Sequence, residues 1–80
     1  MRKKLIVGNW KMQGNHQANA AVLAGVMAAT PFIADAAVCV PFPYLSETAV
    51  TLATTAIKWG AQDCSSHEQG AYTGEVSPAM

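Results

Sequence analysis

An amide and an ammonium group follow the first apolar run of the sequence, in the segment GNWKM at positions 8–12. The run before it, Leu5-Ile6-Val7, predicts a strand. Because strand side chains alternate between two faces, Asn9 and Lys11, two positions apart, are predicted to lie on the same face. Two polar groups that converge in this way can form hydrogen bonds to a polar ligand.

The composition limits the classes of function. The chain has 80 residues, is 51% hydrophobic and 12% charged, and carries a formal net charge of zero. Its one basic cluster, Arg2-Lys3-Lys4, does not amount to the electrostatic footprint of a nucleic-acid binder. No segment has the pattern of a signal peptide or the roughly 18 apolar residues needed to span a bilayer. We expect one small cytoplasmic domain with a marginal core, since a chain of this size buries only about 60% of its unfolded surface.

The other candidate chemical groups do not form a known motif. Cys39 and Cys64 lack framework spacing, and the sequence favours buried, reduced thiols over a disulfide. Residues 63–68 contain metal-ligating types but lack a second ligand pair at zinc-site spacing, so a solvated loop is the preferred interpretation. His16 is expected on the surface. Neither a nucleophile motif nor a phosphate-binding P-loop is present.

The predicted elements alternate between strands and helices. Strands are expected over residues 4–11, 36–40 and 57–62, and helices from the cap Asn15 to about residue 29 and over residues 44–55. The continuous apolar character of the first strand favours a parallel strand covered on both faces. In the first helix, Val22 with Val26 and Leu23 with Met27 are predicted to form a packing face. Because one helix fills each gap between strands, we expect a parallel βαβαβ unit with right-handed crossovers.

The last residues predict the opening of another helix. Ser77-Pro78 has the form of an N-cap followed by proline at the first helical position, which places Met80 in the first turn. Because a helix of one turn is not stable by itself, we expect the sequence to be truncated. A frayed tail over residues 77–80 is the alternative.

The polar clusters follow the predicted strands at their carboxyl ends. Asn9 and Lys11 follow the first strand, and Gln62 and Asp63 follow the third. This edge is where parallel α/β folds place their ligand sites, in open sheets and in closed barrels. The sequence therefore predicts a ligand site there.

Two segments of the chain resemble the triosephosphate isomerase family. GNWKM at 8–12 is similar to the signature that closes that family's first strand, and WGAQD at 59–63 with GAYTGE at 70–75 is similar to its third strand and third loop. The match continues through SPAM at 77–80. The resemblance implies a (β/α)8 TIM barrel of about 250 residues. Residues 1–80 are then an incomplete single domain with three strands and two helices, ending at the start of the third helix.

The resemblance implies a reaction and two site residues. The reaction is interconversion of dihydroxyacetone phosphate and glyceraldehyde 3-phosphate through an enediolate, without cofactor or metal. Lys11 matches the family's catalytic lysine, which holds the phosphate ester and stabilises enediolate charge. Asn9 matches the substrate-binding asparagine, whose carbonyl can accept from a neighbour such as Lys11. The family's glutamate base and histidine electrophile lie on later strands, so the isolated fragment is expected to be inactive.

The resemblance also implies a homodimer. Thr73 falls where the family's third loop enters the neighbouring subunit and contacts the residues around its lysine, and Glu75 and Met12 are the further expected dimer contacts. A loop as long as 63–76 is uncommon unless it is functional, although a floppy surface loop is the alternative. Glu75 is expected to brace this loop by pairing with an arginine outside these residues.

Two hypotheses for the chain remain open. In the first, it is the amino-terminal part of an isomerase. In the second, it is an autonomous, non-catalytic α/β assembly or binding module. The intact mass separates them, because a whole barrel is about three times larger than 8.4 kDa.

Overall fold

The strands and helices occur in the predicted order in a computed structural model that describes residues 2–80. They are β1 (Leu5–Asn9), α1 (His16–Ala28), β2 (Asp35–Cys39), a short 3-10 helix (Phe42–Tyr44), α2 (Leu45–Leu52) and β3 (Lys58–Gly60). The strands form one parallel sheet in the order β1-β2-β3. The βαβαβ prediction is confirmed.

The first strand is shorter than predicted and ends at Asn9 rather than Lys11. Trp10 still donates its backbone N–H to Cys39 O at 3.1 Å, but Lys11 has a φ of 57°, in the left-handed region. Strand alternation therefore stops at Asn9. The prediction that strand alternation places Asn9 and Lys11 on one face is therefore wrong, because Lys11 lies in a turn and not in the strand.

The amino terminus of α1 is set by Asn15, as predicted. Its backbone is extended, with a φ of −154° and a ψ of 169°, and its Oδ1 accepts the N–H of Ala18 at 2.8 Å. This bond satisfies one of the backbone donors that a helix start leaves without a partner. The cap fixes where the loop after β1 ends.

The packing face of α1 is narrower than predicted. Leu23 is buried, and Val26 and Met27 are half-buried against the core. Val22 is 51% exposed, so its predicted place on this face is wrong. The helix meets the sheet along a single stripe of residues three or four positions apart, and Val22 lies beside that stripe.

The second helical segment begins in 3-10 form and ends earlier than predicted. Phe42–Tyr44 follows Pro41, and α2 then covers Leu45–Leu52 rather than extending to residue 55. Thr55 donates its backbone N–H and its hydroxyl to Leu52 O, at 2.9 and 2.8 Å. These bonds close the carboxyl end of α2 in a turn.

The core lies between one face of the sheet and the two helices. Its buried apolar members are Leu23, Val38, Val40, Leu52 and Ile57, with Trp10, Val26, Met27, Tyr44 and Leu45 packed around them. β1 contributes little, because Leu5, Ile6 and Val7 are 62%, 64% and 48% exposed. The prediction that β1 is covered on both faces is wrong for residues 2–80, where it is an edge strand and the helices supply one layer only.

Residues after β3 form loops and turns. A turn occupies residues 78–79, where Met80 donates its N–H to Ser77 O at 3.1 Å. The opening of a helix at Ser77 stays a prediction. In the described range, 2–80, neither helix is long and apolar enough to cross a membrane.

Candidate functional site

Three polar residues meet at the carboxyl edge of the sheet. Asn9 is the last residue of β1, Lys11 follows two positions later, and Gln62 follows β3. Gln62 Nε2 lies 3.0 Å from Lys11 O and 3.4 Å from Asn9 Oδ1. The parallel arrangement brings these chain positions together, since parallel strands end at the same edge. Asp63 does not join them, because its Oδ1 accepts the N–H of Cys64 at 2.7 Å.

The amide of Asn9 is oriented by the backbone of Lys11. Asn9 Oδ1 accepts the Lys11 N–H at 2.9 Å, which is the predicted acceptor role with a backbone donor. Because this bond defines which amide atom is the oxygen, the other atom is the Nδ2 donor. Within residues 2–80 this Nδ2 group donates to no protein atom. It is therefore available to an oxygen atom of a ligand.

The backbone of Lys11 adopts a conformation that is uncommon for a residue with a side chain. A φ of 57° outside glycine costs about 1–3 kcal/mol and occurs where surrounding contacts enforce it. Here the N–H of Lys11 is held by Asn9 and its carbonyl by Gln62. The side chain is exposed and pairs with no carboxylate among the described residues. Its ammonium can therefore act on an anion outside these residues.

Gln62 connects the ends of all three strands. Its Nε2 donates to Cys39 O and to Lys11 O, each at 3.0 Å, and lies at longer range from Asn9 Oδ1. The sequence places Gln62 at the polar edge, but no motif assigned it to the site. The available signal was an amide side chain directly after a strand in a parallel α/β array. Gln62 fixes the turn that carries Lys11.

The segment over residues 63–76 is a loop with internal order. Ser65 donates its N–H to Val76 O at 2.7 Å, which ties the two ends of the loop together. Inside it, the rings of His67 and Tyr72 stack with their centroids 4.0 Å apart. Positive φ values at Gly70 and Gly74 provide its turns. This geometry is that of a compact Ω-loop.

The residues predicted to contact a second subunit lie on the surface. Met12 is 97% exposed in the loop after β1, next to Lys11. Thr73 and Glu75 are exposed in the loop over 63–76. No hydrogen bond joins either of them to Lys11 within the part of the chain described. Their contact with a second subunit stays a prediction.

The two cysteines differ in their surroundings. Both thiols are free, with Cys39 half-buried in β2 and Cys64 exposed. The prediction of two buried thiols is therefore wrong for Cys64, which lies in a loop rather than in the core. Across residues 2–80, no three His, Cys, Asp or Glu side chains are grouped so that they could hold a metal ion.

The amino-acid sequence of the chain is similar to one family of known proteins. The family model described as "Triosephosphate isomerase" matches residues 4–80. Proteins named triosephosphate isomerase from Thiobacillus denitrificans and Bordetella pertussis are each 55% identical over 80 residues, covering 100% and 99% of this chain and 32% of their own length. One from Herminiimonas arsenicoxydans is 56% identical over 81 residues, covering 100% of this chain and 33% of its own length.

These matches cover nearly the whole chain but only part of each relative. The chain spans about a third of the length of the curated relatives it matches. Its three parallel strands and their helices form an α/β unit consistent with the amino-terminal part of a TIM barrel. With a family match that covers almost every residue, the chain belongs to the triosephosphate isomerase family.

Proposed function

We propose that this chain is the amino-terminal part of an isomerase that interconverts dihydroxyacetone phosphate and glyceraldehyde 3-phosphate by proton transfer through an enediolate. Residues 1–80 would be an incomplete domain of that barrel, ending at the start of its third helix. The observation that carries the proposal is Lys11, a cation without a carboxylate partner in residues 2–80, whose backbone is fixed by Asn9 and Gln62 at the carboxyl edge of the sheet. Barrel enzymes of this kind place their active sites at that edge.

Lys11 is the proposed catalytic residue and also binds substrate. Its ammonium is a compact positive charge that can pair with a phosphate dianion and with negative charge developing on an enediolate oxygen. Interactions of the second kind grow as the reaction proceeds, so they lower the barrier rather than merely tighten binding. Asn9 is the proposed substrate-binding residue, because its Nδ2 group can donate to a substrate oxygen while its Oδ1 holds the turn.

The proton transfer itself requires further groups. A base must remove a proton from carbon, and an acid must protonate an oxygen, at positioned sites. No residue among the 80 matches the family's glutamate or histidine, so the isolated chain should not catalyse the reaction. The full-length protein would act in glycolysis and gluconeogenesis in the cytoplasm, and the proposed reaction needs no cofactor because acid–base groups and fixed charges suffice for it.

The proposed partner, besides the triose phosphate substrate, is a second copy of the same protein. Thr73 and Glu75 in the ordered loop, with Met12 next to Lys11, are the proposed dimer contacts. The support is the exposure of Met12, at 97%, together with the closure of the loop by Ser65 and Val76. An exposed methionine and an ordered loop are suited to an interface, where methionine and aromatic residues are enriched.

The experiment that tests the proposed reaction uses the full-length protein in deuterium oxide. An enediolate route passes the transferred proton through an enzyme base that can exchange with solvent. We expect interconversion of the two triose phosphates, with solvent deuterium entering the product at the carbon that receives the proton. Absence of interconversion would contradict the proposed function. Interconversion with complete retention of the original hydrogen would argue against the enediolate step.

A further inference from the structure

A cluster of hydrogen-bonded residues joins the loop after β1 to the start of α2. We call it the polar bridge, and its members are Gly14, His16, Asn19, Tyr44 and Glu47. The Tyr44 hydroxyl donates to Gly14 O at 2.9 Å, and Glu47 receives His16 Nδ1 on Oε2 at 2.5 Å and Asn19 Nδ2 on Oε1 at 3.2 Å. The rings of His16 and Tyr44 meet edge to face, 5.6 Å apart.

At one end of the polar bridge, which we call the anchoring end, His16 and Asn19 form hydrogen bonds to the carboxylate of Glu47. Asn19 is 2% exposed, and a buried amide of this kind is stable only when it is hydrogen-bonded. Glu47 uses both of its carboxylate oxygens. The hydrogen bond from His16 and then the one from Asn19 hold the pKa of Glu47 below its ordinary value of 4.5, so the group remains ionised. A charged acceptor strengthens both bonds.

The loop end of the polar bridge requires glycine. Gly14 has a φ of 120°, which side-chain-bearing residues rarely adopt. A Cβ atom built at Gly14 would also overlap Oδ1 of Asn19. The backbone of Gly14 therefore lies close to the buried side chain of Asn19. The carbonyl of Gly14 accepts the hydrogen bond from the Tyr44 hydroxyl.

The polar bridge lies three residues from Lys11 along the chain. Lys11 is fixed by Asn9 and Gln62, and Gly14 is fixed by Tyr44, so the short segment between them is held at both ends. Fixing both ends of so short a segment removes most of its backbone freedom. A segment released at Gly14 would allow the Lys11 turn to leave its strained conformation.

We infer that Tyr44 and Glu47 are positioning residues for Lys11, which act through Gly14 to hold the ammonium where it binds the substrate phosphate. The inference rests on the proposed function, since that function gives Lys11 its ligand. Tyr44 and Glu47 act on Lys11 without touching the substrate. Their loss should therefore weaken the binding of a phosphate dianion while the fold is retained.

The test uses the full-length protein and the variant Tyr44→Phe, which deletes one hydroxyl. The matched control is Thr51→Val, because Thr51 is exposed on α2 and donates its hydroxyl to a backbone carbonyl, Glu47 O, at 2.9 Å. Inorganic phosphate serves as a competitive inhibitor, and its Ki is measured with the KM for glyceraldehyde 3-phosphate and the Tm. Since one hydrogen bond contributes about 0.5–1.5 kcal/mol, we expect Tyr44→Phe to raise both constants by roughly 2–12-fold and Thr51→Val to leave them unchanged.

A second pair of variants tests the anchoring end. Glu47→Ala should raise the Ki for phosphate in the same direction, and Glu47→Gln, which keeps an acceptor for Asn19, should recover part of the loss. If the wild type turns over triose phosphates but Tyr44→Phe lowers the Tm with an unchanged Ki, the positioning role is overturned and the proposed function stands. If the wild type lacks turnover, the proposed function fails and this inference fails with it.

Discussion

The side-chain amide of Gln62 donates a hydrogen bond to the backbone carbonyl of Lys11, with 3.0 Å between Nε2 and O. The two residues are 51 positions apart in the sequence, and the parallel order of the strands brings them together. A second bond from the same amide reaches Cys39 O at the end of β2, also at 3.0 Å. The conformation of the Lys11 turn therefore depends on the third strand as well as the first.

Removing this amide should weaken both the site and the fold. We expect Gln62→Leu in the full-length protein to lower kcat/KM about tenfold and the free energy of unfolding by roughly 1–3 kcal/mol, because two carbonyls lose their donor. Urea unfolding and steady-state kinetics measure the two effects. Gln17→Leu, at an exposed position of α1, is the control and should change neither by much. Normal kinetics in Gln62→Leu would mean that the Lys11 turn holds its conformation without Gln62.

Two glycines of the chain should respond in opposite directions to alanine. Gly14→Ala should destabilise the protein by about 1–3 kcal/mol, because of its φ of 120° and the overlap with Asn19. Gly25→Ala in α1 should stabilise it by about 0.5–1 kcal/mol, since its new Cβ would meet nothing within 4 Å and alanine favours the helix. Thermal unfolding of the two variants checks this contrast. Equal effects of the two substitutions would contradict the described backbone at Gly14.

The loss of stability at acidic pH should depend on Glu47. Its pKa is lowered in the folded state, first by the hydrogen bond from His16 and then by that from Asn19. The stabilisation is therefore fully present above the ordinary value of 4.5 and is lost as the pH falls through the lowered folded pKa. Glu47→Gln should lower the Tm at neutral pH and reduce the further loss on acidification. Glu68→Gln, in an exposed loop, is the control, and an identical loss of stability at acidic pH in wild type and Glu47→Gln would count against the prediction.

The isolated 80-residue polypeptide should associate and should lack isomerase activity. Leu5, Ile6 and Val7 are each about half exposed or more, and Ile33 is fully exposed. Apolar side chains on an edge strand promote self-association, and the core within residues 2–80 is small. Light scattering after size exclusion and a coupled assay test both statements. A monodisperse 8.4 kDa species that unfolds cooperatively would favour the autonomous module instead.

Local signals in the sequence predicted much of the fold. Asn15 is a helix cap by its side-chain chemistry, and it forms the predicted bond to the helix start. The apolar runs located all three strands, although β1 and β3 are shorter than predicted and β2 begins and ends one residue earlier. Which individual residues are buried was harder to predict from the sequence. Val22 has the same apolar character as Val26, and only the position of the sheet determines which of them is covered.

In the candidate site, too, local features could be predicted from the sequence and features that depend on distant contacts could not. Asn9 and Lys11 are neighbours in the chain, so a local pattern could nominate them. The left-handed turn at Lys11 could not be predicted from lysine, because contacts from Asn9 and Gln62 enforce it against the residue's own preference. The polar bridge was also inaccessible, since Tyr44 and Gly14 are 30 positions apart and neither residue type indicates the other.

The Lys11 ammonium is the proposed catalytic group, and it can be deleted with little effect on the fold because the side chain is exposed. The most direct measurement is kcat/KM of full-length Lys11→Ala in a coupled isomerase assay, with circular dichroism as the check on folding. Lys4→Ala, which removes an exposed ammonium just before the opposite end of β1, is the matched control. We predict a fall on the order of 10²-fold or more for Lys11→Ala and an unchanged value for Lys4→Ala. Near-normal kcat/KM in a folded Lys11→Ala variant would mean that this ammonium takes no part in catalysis.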